Sequence, residues 1–565
     1  MAVQAPDPAQ WFSRLLESQQ ALWRGGGTDA SAPPAQLVPW IPATAPFVPW
    51  QKQVMEHFAA WWTSAVPAWH SSPGTNLETD RRFAGDAWLK DRRFDTLARA
   101  YLAQADSVRN VLANAPLDDR TKAQWGFVLR QVVDALSPAN ALATNPEALK
   151  TAIESGGASL AEGMKLFIED FAKGKISMTD DTAFEVGRNV ATTPGSVVFE
   201  NELMQLIQYE PTTAKVHKRP LLIVPPCINK FYILDLQPDN SFVAHAVAQG
   251  HSVFLVSWRN VGPEQGRTSW DDYLQEGVMR GIDVALDITA ADRVNTLGFC
   301  VGGTLLASAL AVMAARDDDK VSSVTLLTTM LDFTDTGELG LMVSEPSVAL
   351  REMTLGHGGV MRGRELAQVF AALRANDLIW PYVVNGYLKG NAPPAFDLLF
   401  WNGDDSNLPG PMFCWYLRNT YLENKLREPG ATVQCGVPVD LGAIAVPAFL
   451  YASREDHIVP WQTAYASTRL LGGDVTFVLG GSGHIAGVIN PPAKKKRNHW
   501  VGAVKDDAGD WLAAARDVPG SWWPEWIGWL KPHSGLMIAA PKSPGNRKHT
   551  FIESAPGRYV KAKAP

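Results

Sequence analysis

Hydrophobic and polar positions divide the chain into two textures. Up to about Lys175 apolar residues recur at helical spacing, as in Val54, Phe58, Trp61 and Trp62 and again in Trp88, Phe94, Leu97, Tyr101 and Leu102. Steps of three and four residues gather such side chains on one helix face. An earlier amphipathic helix is expected after Asp7-Pro8, a suitable N-cap and first helical residue, with Trp11, Phe12, Leu15, Leu16, Leu22 and Trp23 on its apolar side. Gly25 to Pro49 reads as linker. Residues 1 to about 181 are thus expected as a mainly helical region suited to assembly, targeting or buttressing.

After Thr193-Pro194-Gly195 the texture turns to short apolar runs rich in branched residues. These are Leu221 to Val224, Ser252 to Ser257, Val294 to Leu297, Val324 to Thr328, Ala448 to Ala452 and Val475 to Leu479. Helical patterns separate several of them, which predicts buried parallel strands with crossover helices. One such helix starts at Ser269, with Asp272 as its capping-box partner, and turns Tyr273, Leu274, Val278 and Ile282 inward. Asp332 to Ala445 is far too long for a crossover and is aromatic-rich around Phe396 to Trp401 and Met412 to Tyr416. It is expected as a cap, about 332–445, over the strand ends.

A net charge of −7 leaves no overall electrostatic footprint for nucleic acid. The charge-free stretch Val294 to Ala315 meets the length rule for a membrane span, but its glycines, Asn295 and two threonines, with no basic flanking clusters, favour a buried strand, turn and helix. Four scattered cysteines, Cys227, Cys300, Cys414 and Cys435, cannot staple a chain of 565 residues, so a reducing compartment is expected. The N-terminus has no basic region followed by an apolar one, hence no secretory signal, and the expected location is the cytoplasm.

Gly298, Cys300 and Gly302 form G-x-C-x-G between the expected strand and helix, a nucleophile elbow with sulfur in place of serine oxygen. So sharp a turn crowds the neighbours of the nucleophile, and glycine is a mechanical requirement beside it. Asp456 follows the strand Ala448 to Ala452, and His484 follows Val475 to Leu479. Nucleophile, acid and histidine therefore come in the α/β-hydrolase order, each at the strand edge where open parallel sheets place their sites. Glu455 is an alternative orienting carboxylate and His457 an alternative histidine. Oxyanion donors would be the backbone amide of Val301 and one from the turn after the first strand, Ile228 or Cys227. Cys227 itself reads as a buried structural thiol.

Other matches lead nowhere. Gly481, Gly483 and Ala486 fill G-x-G-x-x-A, but Pro491-Pro492 cuts off the helix that would hold a pyrophosphate. Lys494 to Arg497 reads as a solvated basic run, with contact to the phosphates of a substrate handle as the lesser alternative. No metal set or resident cofactor motif is evident.

Sulfur narrows the chemistry. A cysteine elbow takes an acyl group from a thioester at little thermodynamic cost and keeps it activated for transfer to a hydroxyl, with His484 as the base. That favours an acyltransferase fed by a coenzyme A or carrier thioester, with a cysteine hydrolase or thioesterase as its rival.

The runs N-K-F-Y-I-L-D-L-Q-P-D-N (229–240), V-S-W-R-N (256–260), G-F-C-V-G-G-T (298–304), S-R-E-D-H-I-V-P-W (453–461) and G-S-G-H-I-A-G-V-I-N-P-P (481–492) resemble the polyhydroxyalkanoate synthases of the single-subunit, class I type. The likeness spans residue 190 to the end. It implies an α/β-hydrolase-type domain over 182–565 that polymerises (R)-3-hydroxyacyl-CoA such as 3-hydroxybutyryl-CoA. Coenzyme A would be part of the substrate and a product, and the intermediate an acyl-cysteine. It places the nucleophile on Cys300, the acid on Asp456 and the histidine on His484. It also implies homodimers, attachment to polyester granules and meetings with granule-coat proteins, and leaves a non-catalytic granule-associated protein as a further rival. Trp522, Trp523, Trp526 and Trp529 then become candidates for granule or subunit contact, with core packing as the alternative.

Overall fold

The structure is a computed structural model that describes residues 77–564. The helix expected around Trp11 to Trp23, the linker Gly25 to Pro49 and the stripe Val54 to Trp62 lie outside those residues. Contacts divide the chain into two units, with the break between Asp180 and Asp181.

In the first unit the helices α1 (Arg92–Ala113), α2 (Asp119–Ala135), α3 (Pro146–Glu154) and α4 (Ala158–Lys173) follow one another. Their starts are set by side chains that satisfy orphan amides. Asp91 accepts from the Arg93 N–H, Asp118 from that of Thr121, and Asn145 from those of Glu147 and Ala148. Leu77, Phe83, Trp88, Ala98 and Tyr101 form a small core, with Trp88 meeting Phe83 and Phe94 edge-on. Phe370–Pro394, from within the insertion, belongs to this unit rather than to the catalytic one. It docks where α4 has no side chain. A Cβ on Gly163 would stand 2.1 Å from the Tyr387 carbonyl oxygen. Tyr387 then donates its hydroxyl to Asp170 at 2.8 Å, and Lys389 pairs with Glu147 at 2.6 Å.

In the second unit the main sheet is built from β1 (Gly195–Glu200), β2 (Met204–Tyr209), β3 (Leu221–Val224), β4 (Val253–Trp258), β5 (Val294–Phe299), β6 (Val321–Leu327), β7 (Ala448–Ser453), β8 (Val475–Gly480), β9 (Asn498–Gly502), β10 (Arg516–Pro519) and β11 (Glu553–Ser554). Their order is β10-β9-β8-β7-β6-β5-β3-β4-β2-β1-β11. From β4 to β8 across the middle every pairing is parallel, and these strands are the runs expected from the sequence. The outer strands are antiparallel. Alternate residues of the middle strands feed two cores. Leu222, Val224, Phe254 and Leu450 join one, while Leu221, Ile223, Leu255 and Phe449 join the other. A sheet covered on both faces needs apolar side chains in both phases, which is why these strands read as continuous apolar runs.

Ser269 caps its helix as expected. Its hydroxyl accepts from the Asp272 N–H, and Asp272 accepts from the Ser269 N–H at 2.7 Å. A π-helical stretch, Tyr273–Met279, continues into α5 (Arg280–Thr289), and Tyr273, Leu274, Val278 and Ile282 are all buried. The charge-free stretch resolves into β5 and α6 (Val301–Ala315), buried without a break from Val301 to Met313. Among the described residues no helix is long and apolar enough to cross a membrane. The part of the insertion that stays with this unit includes α7 (Asp397–Asn402). The last elements used below are α8 (His484–Val488) and α9 (Trp523–Leu530).

Candidate active site

Cys300 sits between β5 and α6 with φ +53° and ψ −129°, a conformation that a residue with a Cβ rarely adopts. The surroundings hold it there. Its N–H donates to Leu327 at 2.9 Å, extending the β5–β6 ladder by one rung, and its carbonyl accepts from the Gly303 N–H at 2.8 Å. The Thr329 hydroxyl is 3.2 Å from the same carbonyl. The glycines are required for space. A Cβ on Gly298 would lie 2.4 Å from the Gly303 Cα, and one on Gly302 would lie 2.4 Å from the Val224 carbonyl oxygen at the end of β3.

Parallel pairing brings the strand ends level. Phe299 is in register with Leu327, Leu327 with Tyr451, and Tyr451 with Val478. The residues that follow β5, β7 and β8 therefore converge on one edge. Asp456 and His484 meet there, and His484 Nδ1 donates to Asp456 Oδ2 at 2.6 Å. The other carboxylate oxygen accepts from the amides of Ile458 at 2.8 Å and Val459 at 2.9 Å, so the acid is fixed on both sides. Phe299 stacks on the imidazole with centroids 5.7 Å apart. Glu455, the alternative acid, is exposed, and its N–H instead ties the two loops together through the Ser482 carbonyl at 2.9 Å. His457 is half-buried and adjoins the acid without taking the place of His484.

Cys300 stands beside the same imidazole, close enough for its charge to act on the ring. Burial disfavours the charged ring, but the Asp456 carboxylate and the thiolate form of Cys300 outweigh it and push the His484 pKa up to about 10. The site thus favours a protonated imidazole held against the Asp456 carboxylate. Among the described residues no cluster of His, Cys, Asp and Glu is gathered as a metal site.

Val301 is the first residue of α6, and its N–H is among those a helix leaves without an internal partner, at the end that favours negative charge. Ile228 lies in the loop after β3, which closes against the elbow at Gly302 and is held by a bond from Trp258 Nε1 to the Pro225 carbonyl at 2.9 Å. Cys227 in that loop is buried, and burial pushes its thiol pKa well up, with the Cys300 charge adding to the shift. It is a free, buried thiol beside the site. Lys494 to Arg497 is exposed, with Lys494 paired to Asp239 at 3.2 Å.

Several contributors escaped the sequence reading. Tyr416 and Tyr421, both from the insertion, meet edge-on with ring centroids 5.6 Å apart. Burial first, and then neighbours that include the Cys300 charge, raise both their pKa values, so both stay protonated. Thr329 was also missed, and a lone threonine after a strand gives no signal. Trp522 and Trp523 donate their indole N–H groups to the carbonyls of Gly487 at 3.1 Å and Val488 at 2.9 Å, bracing α8, which begins at His484. With Trp526 they are fully buried, so these three tryptophans are core residues rather than an exposed contact surface, and the half-buried Trp529 packs beside them.

Comparison with known proteins decides the family. A profile described as poly-beta-hydroxybutyrate polymerase (PhaC) N-terminus matches residues 79–246, and one described as alpha/beta hydrolase fold matches residues 220–491. The poly(3-hydroxyalkanoate) polymerase subunit PhaC of Cupriavidus necator is 53% identical over 99% of this chain and 96% of its own. This chain belongs to the poly(3-hydroxyalkanoate) polymerase family. The namesake subunit of Rhizobium meliloti is 43% identical over 87% of this chain and 81% of its own, and the poly(3-hydroxyalkanoate) polymerase of Methylorubrum extorquens is 41% identical over 91% and 86%. As a member of the polymerase family the protein is an acyltransferase-type enzyme on an α/β-hydrolase fold.

Proposed function

We propose that this enzyme polymerises (R)-3-hydroxyacyl-CoA, with 3-hydroxybutyryl-CoA as the substrate, into polyhydroxyalkanoate through a covalent acyl-cysteine. The observation that carries the reading is the hydrogen bond between His484 and Asp456, with Cys300 on a strained elbow beside the same imidazole. The Cys300 thiolate attacks the substrate thioester carbonyl, and the oxyanion that forms is met by the N–H groups of Val301 and Ile228. As the tetrahedral adduct collapses, the bond to the coenzyme A sulfur breaks and the imidazolium gives that sulfur its proton. His484, now neutral, takes the proton of the 3-hydroxyl of another acyl unit as its oxygen attacks the acyl-cysteine. An ester forms, the chain grows by one unit and the thiolate returns.

A raised imidazole pKa supports this cycle, because the ring starts protonated and acts first as acid and then as base. We place the enzyme in the cytoplasm at polyester granules, as a homodimer meeting granule-coat proteins, a setting supported by family membership and by four free cysteines.

The test is incubation with 3-hydroxybutyryl-CoA while coenzyme A release and product are followed together. Polymer in step with thiol release is expected, and Cys300→Ala should reduce release to background. Free hydroxy acid without polymer would make the enzyme a thioesterase, and release at the wild-type rate from Cys300→Ala would refute the nucleophile.

A further inference from the structure

Three stretches far apart in sequence meet beside the loop that carries Ile228. They are Asn229–Leu234 after β3, the arm Phe400–Asp405 of the insertion, and Ala562–Lys563 near the C-terminal end. An antiparallel bridge joins Asn229 to Asp405. Trp401 Nε1 donates to the Lys230 carbonyl at 2.7 Å, and the Tyr232 hydroxyl donates to Asp404 Oδ2 at 2.9 Å.

Within this junction lie two buried side chains of opposite charge, Lys230 and Asp404, each 3% exposed. A buried charge is costly unless it is paired and hydrogen-bonded. Each finds its partner in the tail. Lys230 Nζ donates to the Ala562 carbonyl at 2.7 Å, and Lys563 Nζ sits 3.0 Å from Asp404 Oδ2. The Lys563 ammonium also lies over the Phe400 ring, 5.1 Å from its centroid. Asp404 Oδ1 is buried without a hydrogen bond, so the carboxylate leans on Tyr232 and the tail alone.

We propose that Ala562–Lys563 is a positioning clamp that completes this buried pair of charges, fastens the insertion arm to the loop after β3 and so fixes the Ile228 amide at the oxyanion position. The clamp stands on the contacts just given, and its catalytic consequence rests on the acyl-transfer reading above. When the tail is unseated, a buried carboxylate and a buried ammonium lose partners together. The arm and the loop then loosen as one unit, while the elbow after β5 keeps its own bonds to Leu327 and Gly303.

The test compares full-length wild type, Lys563→Ala and Lys563→Arg by amide hydrogen exchange and by coenzyme A release. The Lys563 side chain is 61% exposed, so its truncation leaves no core cavity. In Lys563→Ala, exchange in 227–234 and 400–405 should quicken about tenfold, the scale of losing one hydrogen bond to a charged group, with Val294–Ala315 unchanged. The kcat should fall about tenfold at constant KM, a part of the roughly 10²–10³-fold lost when an oxyanion donor is removed outright, and Lys563→Arg should restore both readouts. Unchanged exchange in those segments, a rise spread over the whole chain, a kcat unaffected by faster local exchange, or a loss that arginine does not restore would each overturn the clamp. Absence of coenzyme A release from wild type would instead refute the acyl-transfer reading, leaving the exchange comparison to decide the clamp by itself.

Discussion

Asp456 does two jobs with separate oxygens. Oδ1 is committed to the amides of Ile458 and Val459, and Oδ2 to the imidazole of His484. In Asp456→Asn one of those atoms becomes an NH₂ group. Either the loop loses an acceptor or the ring loses the anion that favours its charged form. Turnover should fall about 10²–10⁴-fold, the range for removing an effective acid or base, and alkylation of Cys300 by iodoacetamide at pH 7 should slow with it. Turnover within twofold of wild type would mean that another group orients the ring. The same pair makes a stability prediction. The folded-state pKa of His484 lies near 10, above the 6.5 of a free imidazole, so the protonated ring stabilises the fold fully below pH 6.5, and that contribution is lost as pH rises through about 10. The Tm advantage of wild type over His484→Gln should therefore be larger at pH 6 than at pH 10. An advantage that grew with pH would contradict the imidazolium.

At the scale of elements, the site is the meeting of the elbow, two strand ends and a short helix. α8 spans only His484–Val488 and is too short to hold itself in place. Its last carbonyls are held by Trp522 and Trp523 from just before and at the start of α9. Trp522→Phe with Trp523→Phe keeps most of the buried aromatic area and removes both bonds. The pair should cost about 1–3 kcal/mol and lower kcat more than KM, because His484 loses its brace. A fall in Tm with kcat unchanged would show the tryptophans to be core filling alone. These elements differed in how plainly the sequence displayed them. The placement of Cys300, Asp456 and His484 at one sheet edge was legible because parallel strands are short apolar runs whose ends can be counted along the chain. β1, β2, β9, β10 and β11 were not among the expected strands. They pair antiparallel at the outer positions of the sheet, where Gln205, Gln208, His499 and Asp517 interrupt the apolar run that marks a buried parallel strand. Tyr416 and Tyr421 were visible as part of an aromatic-rich insertion, but their approach to Cys300 depends on tertiary contacts that no local pattern carries.

At the scale of the molecule, the insertion expected over 332–445 is shared between two units, since Phe370–Pro394 folds with the N-terminal helices. Gly163 was the place where that could have been suspected. A glycine inside an otherwise good helix invites a close approach, here by the backbone of Tyr387, although nothing in the sequence names the partner. The catalytic unit is likewise completed from a distance, with β11 pairing to β1 and Lys563 reaching Asp404. What makes the whole an acyltransferase, in this account, is the acyl group that rests on Cys300 between two half-reactions. Brief exposure to 3-hydroxybutyryl-CoA, acid quench and peptide mass mapping test this most directly. The account predicts a hydroxybutyryl or short oligomer adduct on the peptide containing Cys300, absent from Cys300→Ala, and coenzyme A release in the presence of an adduct on another residue, or with none formed, would contradict it.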